Sequence, residues 1–178
     1  MMSTSSILKL MPKLKRAFTL IELLIVITII GILVSIAIAS FASAQARSRD
    51  ARRKGDLDAI KKALELAKGD TTGGFYPGCP SNATSCVLDK TPPATNPELA
   101  PTYIASTPED PKNTGVHVYT FIPTPANCIG QSGVGTPCNK YSLVACLENS
   151  NDAQKDTTPD TTHCPAASNT VSYTVNNP

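Results

Sequence analysis

An uncharged apolar run near the start of the chain constrains the fold more than any other feature of the sequence. Between Glu22 and Arg47 lie 24 residues without a charged side chain. As an α-helix rising about 1.5 Å per residue, this run would be about 36 Å long, enough to cross a bilayer core of about 30 Å. Its apolar residues form no one-sided stripe, so the helix must be surrounded by lipid or by other copies of itself. The sequence therefore predicts a membrane anchor.

Glu22 is the one charge in the first turns of this helix, and it needs a stabilising partner. A charged side chain near the centre of a bilayer costs about 2.5–3.5 kcal/mol on insertion scales. The cheapest partner is a positive charge at the same depth. Cleavage of the chain after Ala17 would create one, because the new amino group would belong to Phe18 of the same or a neighbouring subunit.

The residues around this position form the motif Arg16-Ala17-Phe18-Thr19-Leu20-Ile21-Glu22, which follows a basic leader. The motif resembles the class III signal of type IV prepilins and of the related pseudopilins of type II secretion, with Ala17 where Gly is usual. The resemblance implies cleavage after Ala17 by a membrane prepilin peptidase and N-methyltransferase, and N-methylation of Phe18. It also implies that Glu22 docks subunits into a helical filament.

An uncleaved signal anchor is the alternative interpretation of the same residues, with Glu22 at the membrane interface near Lys15 and Arg16. A secretory signal peptide does not fit, because its apolar segment spans about 7–15 residues and this run is far longer. Basic residues flank the run on both sides, so the positive-inside rule leaves the topology open. The motif and the positions of the cysteines favour residues 1–17 in the cytoplasm and the rest of the chain outside.

Charge is distributed unevenly along the chain. Residues 1–68 contain 12 basic and 5 acidic side chains, a net charge of +7, whereas residues 69–178 contain 4 and 9, a net charge of −5. Loss of the four basic residues of the leader would change the overall charge from +2 to −2. This acidic balance argues against nucleic-acid binding by the head.

All six cysteines follow the apolar run: Cys79, Cys86, Cys128, Cys138, Cys146 and Cys164. An even number of cysteines beyond a membrane segment indicates disulfides in an oxidising compartment. Many connectivities are open, and proximity in sequence favours Cys79–Cys86, Cys128–Cys138 and Cys146–Cys164. Zinc is disfavoured, because the chain has no Cys-x-x-Cys pair and only two histidines, His117 and His163.

The helix that begins at Phe18 is predicted to continue well past the membrane, to residue 68. Residues 18–46 would be its transmembrane or filament-core half, and residues 47–68 its amphipathic half. An apolar stripe defines the amphipathic half: Leu57, Ile60, Leu64 and Ala67. The stripe needs a folded partner, with a short coiled coil as the alternative.

Local signals support this second half and its end. The pairs Asp50–Lys54 and Asp58–Lys62 have the spacing of ion pairs along one helix face. Gly69, preceded by a lysine, is typical of a helix stop.

Residues 69–178 are predicted to form a disulfide-containing extracytoplasmic head. Three runs rich in β-branched and aromatic residues predict strands at 116–122, 141–147 and 171–175. Short connections favour a small antiparallel sheet whose apolar face covers the helix stripe. The predicted fold class is therefore α+β. The resemblance implies the same arrangement, the pilin fold, with one long N-terminal helix packed through its C-terminal half on a small antiparallel sheet.

The resemblance extends more weakly into the head. Phe75-Tyr76-Pro77 follows the helix as in many pilins and pseudopilins, and residues 103–111 are similar to the segment that enters the sheet of major pseudopilins. The Trp-Gly pair and the Asp-rich calcium loop of major pseudopilins are missing from the sequence. These differences favour a pilin over a secretion pseudopilin.

The sequence contains no arrangement of nucleophile, base and acid that would suggest an enzyme. A weak calcium candidate lies between the last two cysteines, formed by Glu148, Asp152, Asp156 and Asp160, for which a solvated acidic surface is the simpler interpretation. Asn82-Ala83-Thr84 has the pattern of a glycosylation acceptor. The basic segment 47–54 could contact phospholipid head groups, acidic surface of the next subunit or, less favourably, DNA.

Together these patterns predict a structural subunit of a type IV pilus-like filament, without catalytic residues or a cofactor. Its expected partners are further copies and other pilins, the prepilin peptidase, an assembly platform of the inner membrane, and lipid. It would cross the cytoplasmic membrane once and then enter an extracellular pilus or a periplasmic pseudopilus. The alternatives are a type II secretion pseudopilin and a monomeric membrane-anchored binding protein.

Overall fold

The computed structural model describes residues 18–89, 99–130 and 135–178. The helix α1 spans Leu20–Asp70 and is followed by four strands, β1 (Cys86–Leu88), β2 (Tyr119–Thr124), β3 (Lys140–Leu147) and β4 (Val171–Asn176). Short 3₁₀ turns lie at Pro80–Asn82 and Ala166–Ser168. The chain divides into two compact units, one ending at Phe41 and the other formed by Ala42–Pro178. The leader, including Ala17, lies outside the described residues.

The first unit is the apolar start of α1, and its side chains are exposed. Leu20, Ile30 and Phe41 each expose at least half of their surface. Hydroxyl groups within the run are satisfied locally, since Thr28 donates to the Ile25 carbonyl and Ser35 to the Ile32 carbonyl. By length and composition, α1 is a helix that could span a membrane.

The second unit contains the rest of α1 packed on an antiparallel sheet of order β1-β2-β3-β4. The predicted stripe is buried as a whole, and Ala63 lies with it in the core. Four buried aromatic rings of the head lie in the same core: Tyr76, Tyr119, Phe121 and Tyr141. The α+β fold class predicted from the sequence is confirmed.

The observed helix and strands differ from the predictions mainly at their ends. The helix ends at Asp70, one residue beyond the predicted glycine stop. The predicted strand 116–122 is shifted to Tyr119–Thr124 and includes Pro123, which the pattern excluded. Because β1 pairs only with the residues up to Phe121, β2 has a neighbour on one side at Pro123, where a missing N–H is tolerated. β1 itself was not predicted, since three residues are too few for a pattern.

The structure joins the six cysteines in the three pairs that proximity favoured, Cys79–Cys86, Cys128–Cys138 and Cys146–Cys164. The residues just before the first disulfide also meet the Cys128–Cys138 loop backbone to backbone. A Cβ placed on Gly130 would lie 2.5 Å from the Gly78 nitrogen, and one on Gly78 would lie 2.8 Å from the Cys128 carbonyl oxygen. Glycine is therefore required at both positions, where the backbone before Cys79 packs directly against the Cys128–Cys138 loop.

Candidate functional site

The first turn of α1 brings Glu22 back onto the start of its own helix. The Glu22 Oε2 atom accepts hydrogen bonds from the Thr19 backbone N–H at 2.9 Å and from the Thr19 hydroxyl at 2.7 Å. In return, the Thr19 hydroxyl accepts from the Glu22 N–H at 3.2 Å. This reciprocal arrangement is a capping box, which satisfies N–H groups left unpaired at a helix N-terminus.

The capping box gives Glu22 a role that the sequence analysis missed. The signal was present, since Thr-x-x-Glu before an apolar run is the sequence signature of a capping box. Both bonds to the carboxylate use Oε2, so within the described residues Oε1 can accept from another donor. Phe18 stands just outside the helix and is 87% exposed. The carboxylate is therefore held in a fixed place beside the residue whose amino group cleavage would free.

A second group of polar residues lies in the head, where Arg53 is completely buried. Its guanidinium donates to both carboxylate oxygens of Asp110, at 2.6 and 2.9 Å, and to Asp50 at 2.7 Å. It also donates to Glu148 at 2.8 Å and lies 3.3 Å from the His117 Nδ1 atom. A buried guanidinium with this number of charged partners is stabilised by good geometry, and its loss would leave unpaired carboxylates.

Glu148 is the centre of the exposed side of this cluster. Its carboxylate accepts from both Nε and Nη2 of Arg49, at 2.7 and 2.6 Å, and forms an ion pair with Lys112 at 2.8 Å. Asp50 accepts the backbone N–H groups of Glu148 and Asn149. We call these residues the charged cluster: Arg49, Asp50, Arg53, Asp110, Lys112, His117 and Glu148. It joins the head half of α1 to the end of β3 and to the loop after Asp110.

The partners of these groups shift their pKa values. Hydrogen bonds from the Arg49 guanidinium, with others from Lys112 and Arg53, hold the pKa of the Glu148 carboxyl far below its usual range. Burial alone would raise the pKa of Asp110, but the bonds from Arg53 lower it. Burial and the nearby positive charges of Arg53 and Lys112 lower the pKa of His117. The cluster is therefore charge-balanced near neutral pH, with three cations facing three carboxylates.

We expect acid to weaken this head. A carboxyl with a lowered folded-state pKa stabilises the fold above its unfolded-state pKa, about 4.3 for Glu, and loses that contribution as the pH falls further. The urea midpoint of the full chain in detergent should fall gently below about pH 6.5, because unfolding lets His117 take up a proton, and more steeply below about pH 4, where the carboxylates of the unfolded chain become protonated. Glu148→Gln should lower the midpoint at pH 7 and flatten its decrease in acid. If the urea midpoint of Glu148→Gln falls with decreasing pH as steeply as that of the original chain, Glu148 is not a source of the pH dependence.

The charged cluster changes the interpretation of the basic segment 47–54. The predicted Asp50–Lys54 pair is wrong, because Asp50 pairs with Arg53 and Lys54 donates to Asp152 at 2.6 Å. Arg49, Arg53 and Lys54 are thus bound to carboxylates of the head. Arg52 remains 64% exposed, with Asp56 at 3.7 Å. Fewer cations of this segment therefore face outward than the sequence suggested.

The four carboxylates of the calcium candidate are not brought together. Glu148 lies in the charged cluster and Asp152 pairs with Lys54. Asp156 accepts from Thr174, and Asp160 contacts His163 at 2.7 Å. Among the described residues, no group of three or more His, Cys, Asp or Glu side chains could hold a metal ion. Asn82, the asparagine of the glycosylation pattern, is exposed and ends the first 3₁₀ turn.

Two carboxylates on the flanks of α1 bind buried tyrosines of the head. Tyr119 donates to Asp56 at 2.7 Å, and Tyr76 and Tyr141 both donate to Glu65 at 3.0 Å. Burial, followed by these carboxylates, raises the pKa values of Tyr119 and Tyr141. These bonds fix the position of α1 along the sheet, because each phenol would be buried without a partner in any other register.

Comparisons with known proteins bear on the first turns of the chain. The family profile described as "Prokaryotic N-terminal methylation motif" matches residues 12–38. The chain is 54% identical over 48 residues to the "Type IV major pilin protein PilA" of Myxococcus xanthus (strain DK1622), which covers 27% of this chain and 22% of the relative. It is 46% identical over 55 residues to a "Fimbrial protein" of Pseudomonas aeruginosa, covering 31% of this chain and 36% of the relative. No solved structure matches the chain significantly.

A long N-terminal helix with an apolar start and an antiparallel sheet on its second half define an α+β protein with a pilin-like fold. The methylation motif and the named relatives then confirm the resemblance to the type IV prepilin family that residues 16–22 indicated. The alignments span about a fifth to a third of the length of these curated relatives.

Proposed function

We propose that this protein is a structural subunit of a type IV pilus-like filament and not an enzyme. The observation that carries the proposal is the start of α1, which exposes apolar side chains on all sides and has a single carboxylate in its first turn. Such a surface must be covered by lipid before assembly and by neighbouring helices afterwards. The names of the relatives, major pilin and fimbrial protein, support the same role.

In the proposed mechanism, a membrane prepilin peptidase cleaves after Ala17 and the amino group of Phe18 is methylated. This amine pairs with Glu22 of a neighbouring subunit, while the capping box holds the carboxylate at the helix start. A buried charge is neutralised only when neighbours are correctly staggered, so the pairing selects one axial offset. Helices 18–68 then form the filament core, with the disulfide-linked heads outside.

The proposal places the precursor in the cytoplasmic membrane, with residues 1–17 inside and the head outside, before an assembly platform transfers it to the filament. A type II secretion pseudopilin would share the anchor, and the similarity of residues 103–111 to major pseudopilins favours that second candidate. A monomeric binding protein would instead retain its leader and remain in the membrane.

Mass spectrometry of the N-terminus separates these candidates. We expect protein from sheared surface fibres to begin at Phe18 and to carry an N-methyl group. A processed N-terminus found only in the membrane fraction, without surface fibres, would support the pseudopilin. A chain that still contains residues 1–17 in every fraction would refute both assembly roles.

A further inference from the structure

The last strand of the sheet, β4, has a sequence that favours pairing with other strands. Its residues Val171-Ser172-Tyr173-Thr174-Val175 contain no charge, proline or glycine, and three of them are β-branched. Uncharged segments of this kind add to one another edge to edge when they are accessible. β4 lies at the end of the strand order and pairs with β3 on one side only. Its other edge would therefore be open to a second chain unless something covers it.

One residue, Asp156, covers this edge. The Asp156 backbone N–H donates to the Ser172 carbonyl at 2.9 Å. Its carboxylate accepts from the Thr174 N–H at 3.0 Å and from the Thr174 hydroxyl at 2.7 Å. Asp156 thus bonds the residues on both sides of Tyr173, as a residue of a parallel strand would, with a carboxylate in place of its carbonyl.

The loop that carries Asp156 cannot continue as a fifth strand. Pro159 follows three residues later and has no N–H to donate to a ladder. Next in the loop, the Asp160 N–H donates to the Ser172 hydroxyl at 2.9 Å instead of to a backbone carbonyl. The pairing therefore stops after one residue, and the charge of Asp156 lies along the edge where a further strand would pack.

Both ends of the loop are held in place. The Cys146–Cys164 disulfide closes it onto β3. Near its start, Lys54 of α1 donates to Asp152 and to Gln154. These attachments keep Asp156 against β4. Because they already order the loop, covering the edge costs little further conformational entropy.

We propose that Asp156 blocks strand addition at the outer edge of β4, and that the strand it keeps out is β4 of a second copy of this chain. Two β4 strands are identical and can pair antiparallel about Thr174, so each edge offers the other a complete set of donors and acceptors. The closed edge would keep heads from joining through their sheets, so that contacts between copies are made through α1. This last consequence rests on the proposed filament function, whereas the closing of the edge does not.

Hydrogen exchange of the unassembled full chain in detergent tests the closing of the edge. Asp156→Ala should raise the exchange rate of the Thr174 amide by about 10-fold or more, because it loses its acceptor. Asp156→Asn keeps an acceptor oxygen and should stay near the original rate. Asp58→Ala removes an exposed carboxylate of α1, outside the loop, and should also leave the rate unchanged. Equal rates in Asp156→Ala and the original chain would overturn the proposal.

A photo-crosslinking residue at the exposed position Asn176 tests the identity of the second strand. In the Asp156→Ala background it should capture β4 of another copy, identified by peptide mass spectrometry, and in the original background it should not. Faster exchange without such a crosslink would overturn the assignment of the second copy. Near-UV circular dichroism of the buried tyrosines monitors folding, and Asp156→Ser replaces Asp156→Ala if the alanine variant does not fold. Because no filament is needed, these results are independent of the proposed function.

Discussion

Substitution of Glu22 by valine is expected to abolish surface filaments while leaving insertion of the protein into the membrane intact. Valine removes the only charge of the first turns, so the apolar helix should insert at least as well. The gain should be smaller than the cost of about 2.5–3.5 kcal/mol for a charge at the bilayer centre, because Glu22 lies at the start of the helix. Assembly would lose the partner of the Phe18 amine, which would then be buried without a counter-charge among neighbouring helices. Sheared fibres quantified by electron microscopy and immunoblot, against protein in the membrane fraction, measure both effects.

The structure requires a further control, because Glu22 has a second role in the capping box. Glu22→Gln retains an acceptor oxygen for Thr19 but has no charge, and glutamine is accepted at this position of a capping box. Thr19→Ala removes the hydroxyl used in two of the three bonds and keeps the charge, at a cost of about 1 kcal/mol. We expect Glu22→Gln to lose filaments and Thr19→Ala to retain most of them. Normal filaments from Glu22→Gln would reject charge pairing and leave capping as the role of Glu22.

Replacing Arg53 by methionine should destabilise the head more than any other single change in the charged cluster. Methionine fills a similar volume but leaves the carboxylate of Asp110, which is completely buried, without its two guanidinium bonds. Removal of one partner from a buried ion pair costs about 3–5 kcal/mol. The free energy of unfolding in urea, followed by tyrosine circular dichroism with the disulfides intact, measures the loss.

Two variants separate lost charge pairing from lost packing. Arg52→Met alters the neighbouring residue, which is 64% exposed, and should change the unfolding free energy by less than about 0.5 kcal/mol. Adding Asp110→Asn to Arg53→Met removes the unpaired buried charge and should recover part of the loss. If the double variant is no more stable than Arg53→Met alone, an unpaired Asp110 is not the cause.

The apolar start of α1 and the stripe were predictable because both depend on the polarity of residues close together in the chain. The periodicity of the stripe also extends to two charged residues, which the sequence analysis did not recognise as buried. Asp50 and Arg53 continue the buried series of Leu57, Ile60 and Leu64 at steps of three and four residues. Charged residues at buried positions indicate a buried ion pair, but the position of their partners was not contained in the pattern.

The N-terminal motif was recognisable from seven consecutive residues, and the short spacing of the cysteines favoured the disulfide pairs found in the structure. By contrast, the end of β2 could not be predicted from the sequence. A strand can include Pro123 because β3 pairs with it on one side and β1 does not reach it on the other. Similarly, Lys54 pairs with Asp152, 98 positions away, instead of the predicted Asp50. Contacts of this kind arise when separate elements pack, and spacing along one helix does not reveal them.

The apolar start of α1, the long helix, the α+β class and the N-terminal methylation motif could therefore all be predicted from the sequence, because each is encoded by residues within a few turns of one another. The tertiary structure decided which charges are buried together, how α1 is aligned on the sheet through Asp56 and Glu65, and which loop covers β4. These features depend on the distance between residues that are far apart in the chain, and only packing of the folded head brings them within hydrogen-bonding range.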